Sequence, residues 1–134
     1  MAKLDEVRFL KSDVVERLGE LGLTSTYDLL AMGSSYEGRR SIAQCCETDP
    51  DQVTTWLHTC DLLRIKGLGE EYADLMWAAG TASLAELSRR DPAQLRARMA
   101  LVNAEHSLVG ILPSQDLVND WIVQAGELPP KLVE

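Results

Sequence analysis

Residue types whose spacing could do chemistry are few in this 134-residue chain, and they concentrate around RIKGLGEEYADLM, residues 64–76. Gly67-Leu68-Gly69 ahead of an amphipathic run is the pattern of a turn whose backbone amides and following helix N-terminus can hold a phosphate. Arg64 and Lys66 precede it, and Glu70 and Glu71 follow at once. In the first helical turn such carboxylates favour the helix dipole by about 0.3–1 kcal/mol each, which helps folding and repels phosphate. Arg64, Lys66, Gly67, Leu68, Gly69 and Glu70 are therefore candidate contacts for a phosphate or a partner. The charge balance favours a structural or protein-contact turn over a phosphate clamp. A nucleotide loop is excluded, because neither Gly-x-x-x-x-Gly-Lys nor a strand followed by Gly-x-Gly-x-x-Gly is present.

Other chemical groups are dispersed. His58 and Cys60 with Cys45 or Cys46 would make a poor metal site, since helical residues two apart point away from each other, so the cysteines read as core. His106 reads as an exposed loop histidine beside Glu105. No spacing assembles a nucleophile with its base. The expectation is no enzyme, no cofactor and no metal. Arg39-Arg40, Arg89-Arg90, Arg96 and Arg98 hold most of the arginines and read as solvated helix surface at the ends of short helices. Of the three tryptophans, Trp56 and Trp121 read as core. Trp77, within Leu75-Met76-Trp77-Ala78-Ala79, is also expected to be buried, yet it is the one that could face outward and anchor a partner. Trp77, Arg89 and Arg90 form the candidate interaction surface.

The bulk properties narrow the classes. The net charge is −8 and the pI about 4.7. Nonspecific nucleic-acid binding is phosphate neutralisation by Lys and Arg, so acidity argues against it and favours protein partners. Three cysteines, two of them adjacent, are no disulfide framework and suit a reducing compartment. No apolar run reaches the roughly 20 residues that span a bilayer. Residues 1–11 carry acidic groups and no central apolar stretch, unlike a secretory signal. The expected location is cytoplasmic, with no membrane contact.

The elements that must position these residues are helices. Leu and Ala prevail and no alternating strand run occurs. The punctuation predicts a helix capped by Ser12 and stopped at Gly22, a short one capped by Ser25 or Thr26 and ended by Gly33, and another over 39–46. Asp49-Pro50 and Asp91-Pro92 are N-caps with proline at the first helical position. A helix follows Gly67-Leu68-Gly69 to Ala79 and ends at Gly80. Ser83 with Glu86 fits a capping box. Ser114 opens the last helix, closed at Leu128-Pro129-Pro130, and the tail is expected to fray.

The pattern occurs twice. At a shift of 58, Leu4 meets Leu62, Val7 meets Ile65, Leu10 meets Leu68, Leu18 meets Met76, Gly22 meets Gly80, Ser25 meets Ser83 and Leu29 meets Leu87. At a shift of 65, Asp51 meets Asp116, Val53 meets Val118 and Trp56 meets Trp121. Two copies of one helical unit of about 60 residues are implied, over about 1–60 and 61–128 of a single helical domain spanning 1–134, with a short C-terminal tail. Only the second copy has the glycines of the turn; the first has Phe9-Leu10-Lys11 there.

Leu62 to Gly69 with Tyr72, Ala73 and Leu75 resembles the helix-hairpin-helix motif of DNA repair and recombination proteins. The wider frame is similar to a bacterial family of unknown function, number 4332 in the domain-of-unknown-function series. Asp61 to Gly69, Glu71-Tyr72-Ala73, Ala79-Gly80, Glu86-Leu87, Arg90, Pro92, Asn103, Pro113, Trp121 and Leu128-Pro129 carry that resemblance. It implies a compact helical bundle and no particular activity. The expectation is an all-α bundle of short helices in two pseudo-repeats, with a helix-hairpin-helix around residues 58–79. The expected function is a non-enzymatic binding module whose partner is a protein or a second copy of the chain. Nucleic-acid backbone binding through residues 64–72 and a helical pocket for a small ligand are the alternatives.

Overall fold

Short polar side chains open most of the helices. The structure, a computed structural model, describes residues 2–132. Its helices are α1 (Ser12–Glu20), α2 (Thr26–Met32), α3 (Tyr36–Cys45), α4 (Pro50–Leu62), α5 (Glu70–Ala78), α6 (Leu84–Ser88), α7 (Pro92–His106) and α8 (Gln115–Glu127). Ser25, Ser35, Ser83, Asp91 and Ser114 each accept a first-turn amide, and Asp49 Oδ1 accepts from Gln52 N at the start of α4. Each such bond satisfies a donor that the helix itself leaves open, for about 1 kcal/mol. Ser25 and Asp28 form the reciprocal capping box. Ser83 caps α6 through its hydroxyl, while the Glu86 carboxylate lies 3.7 Å from Arg90. Among the described residues the only β pairing is an isolated antiparallel bridge between Lys3 and Ser25.

The two halves use one register. Adding 58 to the bounds of α1 gives 70–78, those of α5; the same shift carries Thr26, the start of α2, to Leu84, the start of α6. Adding 65 to the bounds of α4 gives 115–127, those of α8. Both first helices end in the same left-handed glycine, Gly22 at φ +81° and Gly80 at φ +92°. There Gly22 N and Leu23 N donate to Gly19 O and Leu18 O, and Gly80 N and Thr81 N donate to Trp77 O and Met76 O. These are paired Schellman bonds, and only glycine takes that backbone conformation without crowding its Cβ. Glu47 closes α3 by the same bonds at φ +53°, so a side chain is tolerated there.

The chain divides into two compact units, Met1–Asp61 with Pro130–Glu134 and Leu62–Pro129. The first encloses Leu4, Leu18, Leu29, Ile42, Val53 and Leu57, with α1 packed on α3. The second encloses Leu62, Leu75, Met76, Leu87, Met99 and Trp121, with α5 on α7 and both α6 and α7 on α8. Equivalent positions are buried in both: Leu4 and Leu62, Leu18 and Met76, Leu29 and Leu87, Val53 and Val118. Each large aliphatic so buried contributes about 1.5–3 kcal/mol before the ordering entropy is subtracted.

Several boundaries differ from the sequence expectation. Lys11, not Ser12, is the N-cap of α1, and it makes no side-chain cap bond. Helix α3 begins at Tyr36 because Ser35 caps it, which places Arg39 and Arg40 in its first half rather than at an end. Helix α5 stops at Ala78, with Ala79 as C-cap. His106 is the last residue of α7, not a loop residue. Of the tail expected to fray, Lys131 is exposed and Leu132 is half-buried against the core of the first unit, and residues 133 and 134 lie outside the described residues. Gly22→Ala and Gly80→Ala are each expected to lower unfolding free energy by about 1 kcal/mol, read as a fall in the urea midpoint at unchanged m-value.

Candidate interaction site around the Gly67 turn

The turn between Leu62 and Glu70 is built by residues of α8. Gln124 Oε1 accepts from Lys66 N at 2.8 Å, and Gln124 Nε2 donates to Lys66 O at 3.1 Å. One side-chain amide thus satisfies both backbone polar groups of Lys66, and its Nε2 is also 2.8 Å from Asp120 Oδ2. Arg64 Nη2 donates to Pro129 O at 2.9 Å, just beyond the end of α8. Gly67 takes φ +87°, and a Cβ placed there would stand 3.6 Å from Trp121 Nε1. Trp121 is fully buried, with its ring 5.2 Å from that of Tyr72. Its Nε1 has no hydrogen-bond partner among the described residues. Tyr72 in turn donates through its hydroxyl to Ile111 O at 3.2 Å.

The two glycines of the turn are not equivalent. Gly67 needs the left-handed conformation, whereas Gly69 is the N-cap of α5 at φ −92°, ψ −179°, an extended geometry open to any residue. A Cβ at Gly69 would meet open space. Leu68 is buried as a core residue, Lys66 is exposed, Glu70 is half-buried and Glu71 is exposed. The structure therefore brings Arg64, Lys66, Gly67 and Leu68 together against α8, with Glu70 and Glu71 opening the next helix.

Arg39, Arg64, Arg90 and Arg96 are engaged on carbonyl oxygens. Arg90 Nε donates to Thr81 Oγ1 at 3.0 Å and Arg90 Nη2 to Gly80 O at 2.9 Å, bracing the end of α5. Arg96 Nε donates to Pro113 O, and Arg39 Nε to Gly33 O from a buried position over the Tyr36 ring. Arg89 is exposed at the end of α6. Asn103 repeats the amide clamp, donating to Val109 O and accepting from Val109 N. Sequence reasoning did not single out Gln124. It lies 58 residues from the peptide it binds, and Thr59 stands at its place in the first copy, so pattern and repeat are both silent about it.

Trp77 corrects the expectation of burial. It is 48% exposed on α5, whereas Trp56 and Trp121 are 7% and 0% exposed. Leu101 and Ile111, in the same unit, are 73% and 80% exposed. Among the described residues no cluster of three His, Cys, Asp or Glu could hold a metal ion, and no helix is long and apolar enough to cross a membrane. Cys45, Cys46 and Cys60 form no disulfide among the described residues. Burial, with the neighbouring Cys45 second, pushes the Cys46 thiol up to about 11.

Gly67→Ala is expected to cost about 1 kcal/mol or more through its positive φ. Gly69→Ser should instead be neutral or stabilising by a few tenths, because a hydroxyl acceptor is added where the helix lacks one; paired urea titrations distinguish the two. Because its folded-state value is raised, the buried Cys46 thiol contributes fully below the unfolded value of about 8.5 and progressively less as pH rises toward the folded one. Iodoacetamide at pH 8 should leave Cys46 unmodified in the native protein and label it in urea, as read by peptide mass spectrometry.

The family model described as domain of unknown function DUF4332 matches residues 9–128. No curated protein and no solved structure matches the chain.

Proposed function

The chain belongs to the DUF4332 family, and from that premise we propose that it is a non-enzymatic protein-interaction module that works in the cytoplasm. The observation that carries the reading is Trp77, a half-exposed tryptophan on a helix whose Ala73, one turn before it, and Met76, beside it in the chain, are core residues. Large, rigid aromatics of this kind are the side chains from which partner contacts draw most of their energy. In this reading α4, the turn and α5 are of the helix-hairpin-helix type, with the turn serving architecture. Its Lys66 peptide is held by Gln124, Arg64 is held at Pro129, and α5 opens on two carboxylates.

Nucleic-acid backbone binding is the second reading, favoured by the open space at Gly69 and the exposed Lys66. The acidic balance of the chain opposes it. The two separate cleanly by salt and by residue. Fluorescence anisotropy of labelled single- and double-stranded DNA should stay flat at about 50 mM and about 200 mM salt. Micromolar binding that salt removes and Lys66→Glu weakens would replace the protein reading with a phosphate clamp. Conversely, the tagged chain should retain its bound protein at high salt and lose it on Trp77→Ala, with affinity falling about 30-fold or more.

A further inference from the structure

At the end of α1, Gly19 precedes the left-handed Gly22, and a Cβ built on either meets nothing within 4 Å. At the end of α5 the same two places hold Trp77, 48% exposed, and Gly80. Two guanidinium groups converge on that second glycine. Arg90 Nη2 donates to Gly80 O at 2.9 Å, and Arg98 Nη2 lies 3.9 Å from where a Cβ on Gly80 would stand. In the first copy Met32 has the place of Arg90. The indole and the guanidinium groups are thus present together at one helix end and absent together from the other. Nor do the charges at this end cancel. Residues 89–98 hold Arg89, Arg90, Arg96 and Arg98 against the carboxylate of Asp91, in a chain whose net charge is −8. The nearby carboxylates are already engaged: Asp91 caps α7 through Gln94 N, Glu86 lies 3.7 Å from Arg90, and Asp74, one turn before Trp77, has an interaction of its own within the chain. Arg98 is exposed, and its guanidinium makes no hydrogen bond or ion pair with another described residue.

We propose that Trp77 and Arg98 form a docking surface for an acidic segment of a partner protein, one that carries carboxylates beside an aromatic side chain. This rests on the protein-interaction reading above and gives the partner's chemistry. Trp77 and Gly80 are three residues apart, so they share one side of the helix end. One short segment can therefore meet the indole and the Arg98 guanidinium together. The guanidinium fork takes a carboxylate by two parallel hydrogen bonds. The indole takes the apolar neighbour on its face, and a large aromatic so covered removes about 150–250 Å² from water. Arg90 adds positive charge that is already held in place by Gly80 O and Thr81 Oγ1, so no side-chain freedom is lost there on binding. Charge complementarity favours a short acidic segment over nucleic acid. A short segment meets the local field, since exposed charges beyond about 10 Å are screened at 0.1 M salt. A long polyphosphate extends past it over an acidic surface that repels it. The surface is small, which places the association in the weak, transient class.

Two measurements on the full chain test this, with circular dichroism as the folding control for each variant. The first reads the field at Trp77 by quenching tryptophan fluorescence with iodide and with caesium, each normalised to free N-acetyltryptophanamide. Iodide should quench the wild-type chain more than caesium in spite of the net charge, and Arg98→Glu should reverse the order. Trp77→Ala should remove most of the quenching by either ion, because Trp56 and Trp121 are buried. Caesium quenching equal to or stronger than that by iodide in the wild type overturns the proposal. The second is fluorescence anisotropy of a short labelled peptide of Asp and Glu around a single Phe. It should bind with a Kd of about 10 µM to 1 mM and weaken only a few-fold between about 50 and 200 mM salt. Trp77→Ala should abolish binding, Trp77→Phe should retain it, and Arg98→Glu should weaken it about tenfold or more. Lys11→Ala, which removes an exposed cation from the first unit, should leave it unchanged. An acidic peptide that does not bind overturns the proposal. So does equal binding of a peptide with Asn and Gln in place of Asp and Glu, or binding that Arg98→Glu leaves intact; if these still require Trp77, the protein-interaction reading stands. Labelled DNA that binds through Arg98 more tightly than the peptide, and is released by salt, overturns both.

Discussion

The second unit is organised by what α8 does to the turn before α5. Lys66 has a backbone N–H and C=O at a point where the chain is neither helix nor strand, and neither group has a repeating partner. Lys66 is exposed, so each bond made to these groups in place of water contributes about 0.5–1.5 kcal/mol net and, above all, fixes the peptide's position. Gln124 answers both with one planar amide. Two turns of backbone geometry follow from that fixed peptide. Gly67 must swing to positive φ to bring Leu68 into the core, and Gly69 must be extended to start α5. Trp121, three residues before Gln124 on the same side of α8, fills the space behind the turn and meets Tyr72 of the new helix. Remove α8 and the turn has no template.

The same economy explains the cations. An acidic chain with 13 basic residues could still have concentrated them. Instead Arg39, Arg64 and Arg90 reach carbonyl oxygens at the C-terminal ends of α2, α8 and α5, where a guanidinium both donates hydrogen bonds and meets the negative end of a dipole, and Arg96 reaches Pro113 O in the loop before α8. A guanidinium held in this way keeps its charge but loses the freedom to follow a phosphate backbone. Clustering in sequence, as in Arg89-Arg90, thus says little about clustering of positive charge that can move: both side chains are exposed, but Arg90 is tied to Thr81 and Gly80.

A duplicated frame makes the differences between copies informative. The core positions repeat because each unit must solve the same packing problem with the same helix bounds. Surface positions carry no such obligation. Residues 19 and 77 occupy the same place at the end of the first helix of their unit, and their side chains are the smallest and the largest available. The frame tolerates both because that position faces outward in each unit, so the choice between them is free to serve a contact.

Much of the fold was legible from the chain alone. Local chemistry sets the helix bounds: serine and aspartate caps act within three residues, proline fixes the first helical φ, and glycine accepts the left-handed turn, so reading a few neighbouring residues places α2, α4, α6, α7 and α8 closely. The apolar period and the repeat give the buried faces. Where the reading slipped, at Lys11 and Ala79 the boundary moved by one residue, and at α3 it moved from Arg39 to Tyr36 because Ser35, read as part of the preceding stop, caps the helix. What only the tertiary structure decided are relations between residues far apart in the chain. The amide of Gln124 on Lys66, Arg64 on Pro129 and Arg90 on Gly80 have no sequence period, because each depends on where separate elements come to rest. The exposure of Trp77 belongs to the same class. An amphipathic stripe tells that α5 has a buried face, but whether a tryptophan at its margin is covered depends on the height and angle of the neighbouring helices, which no spacing within α5 encodes.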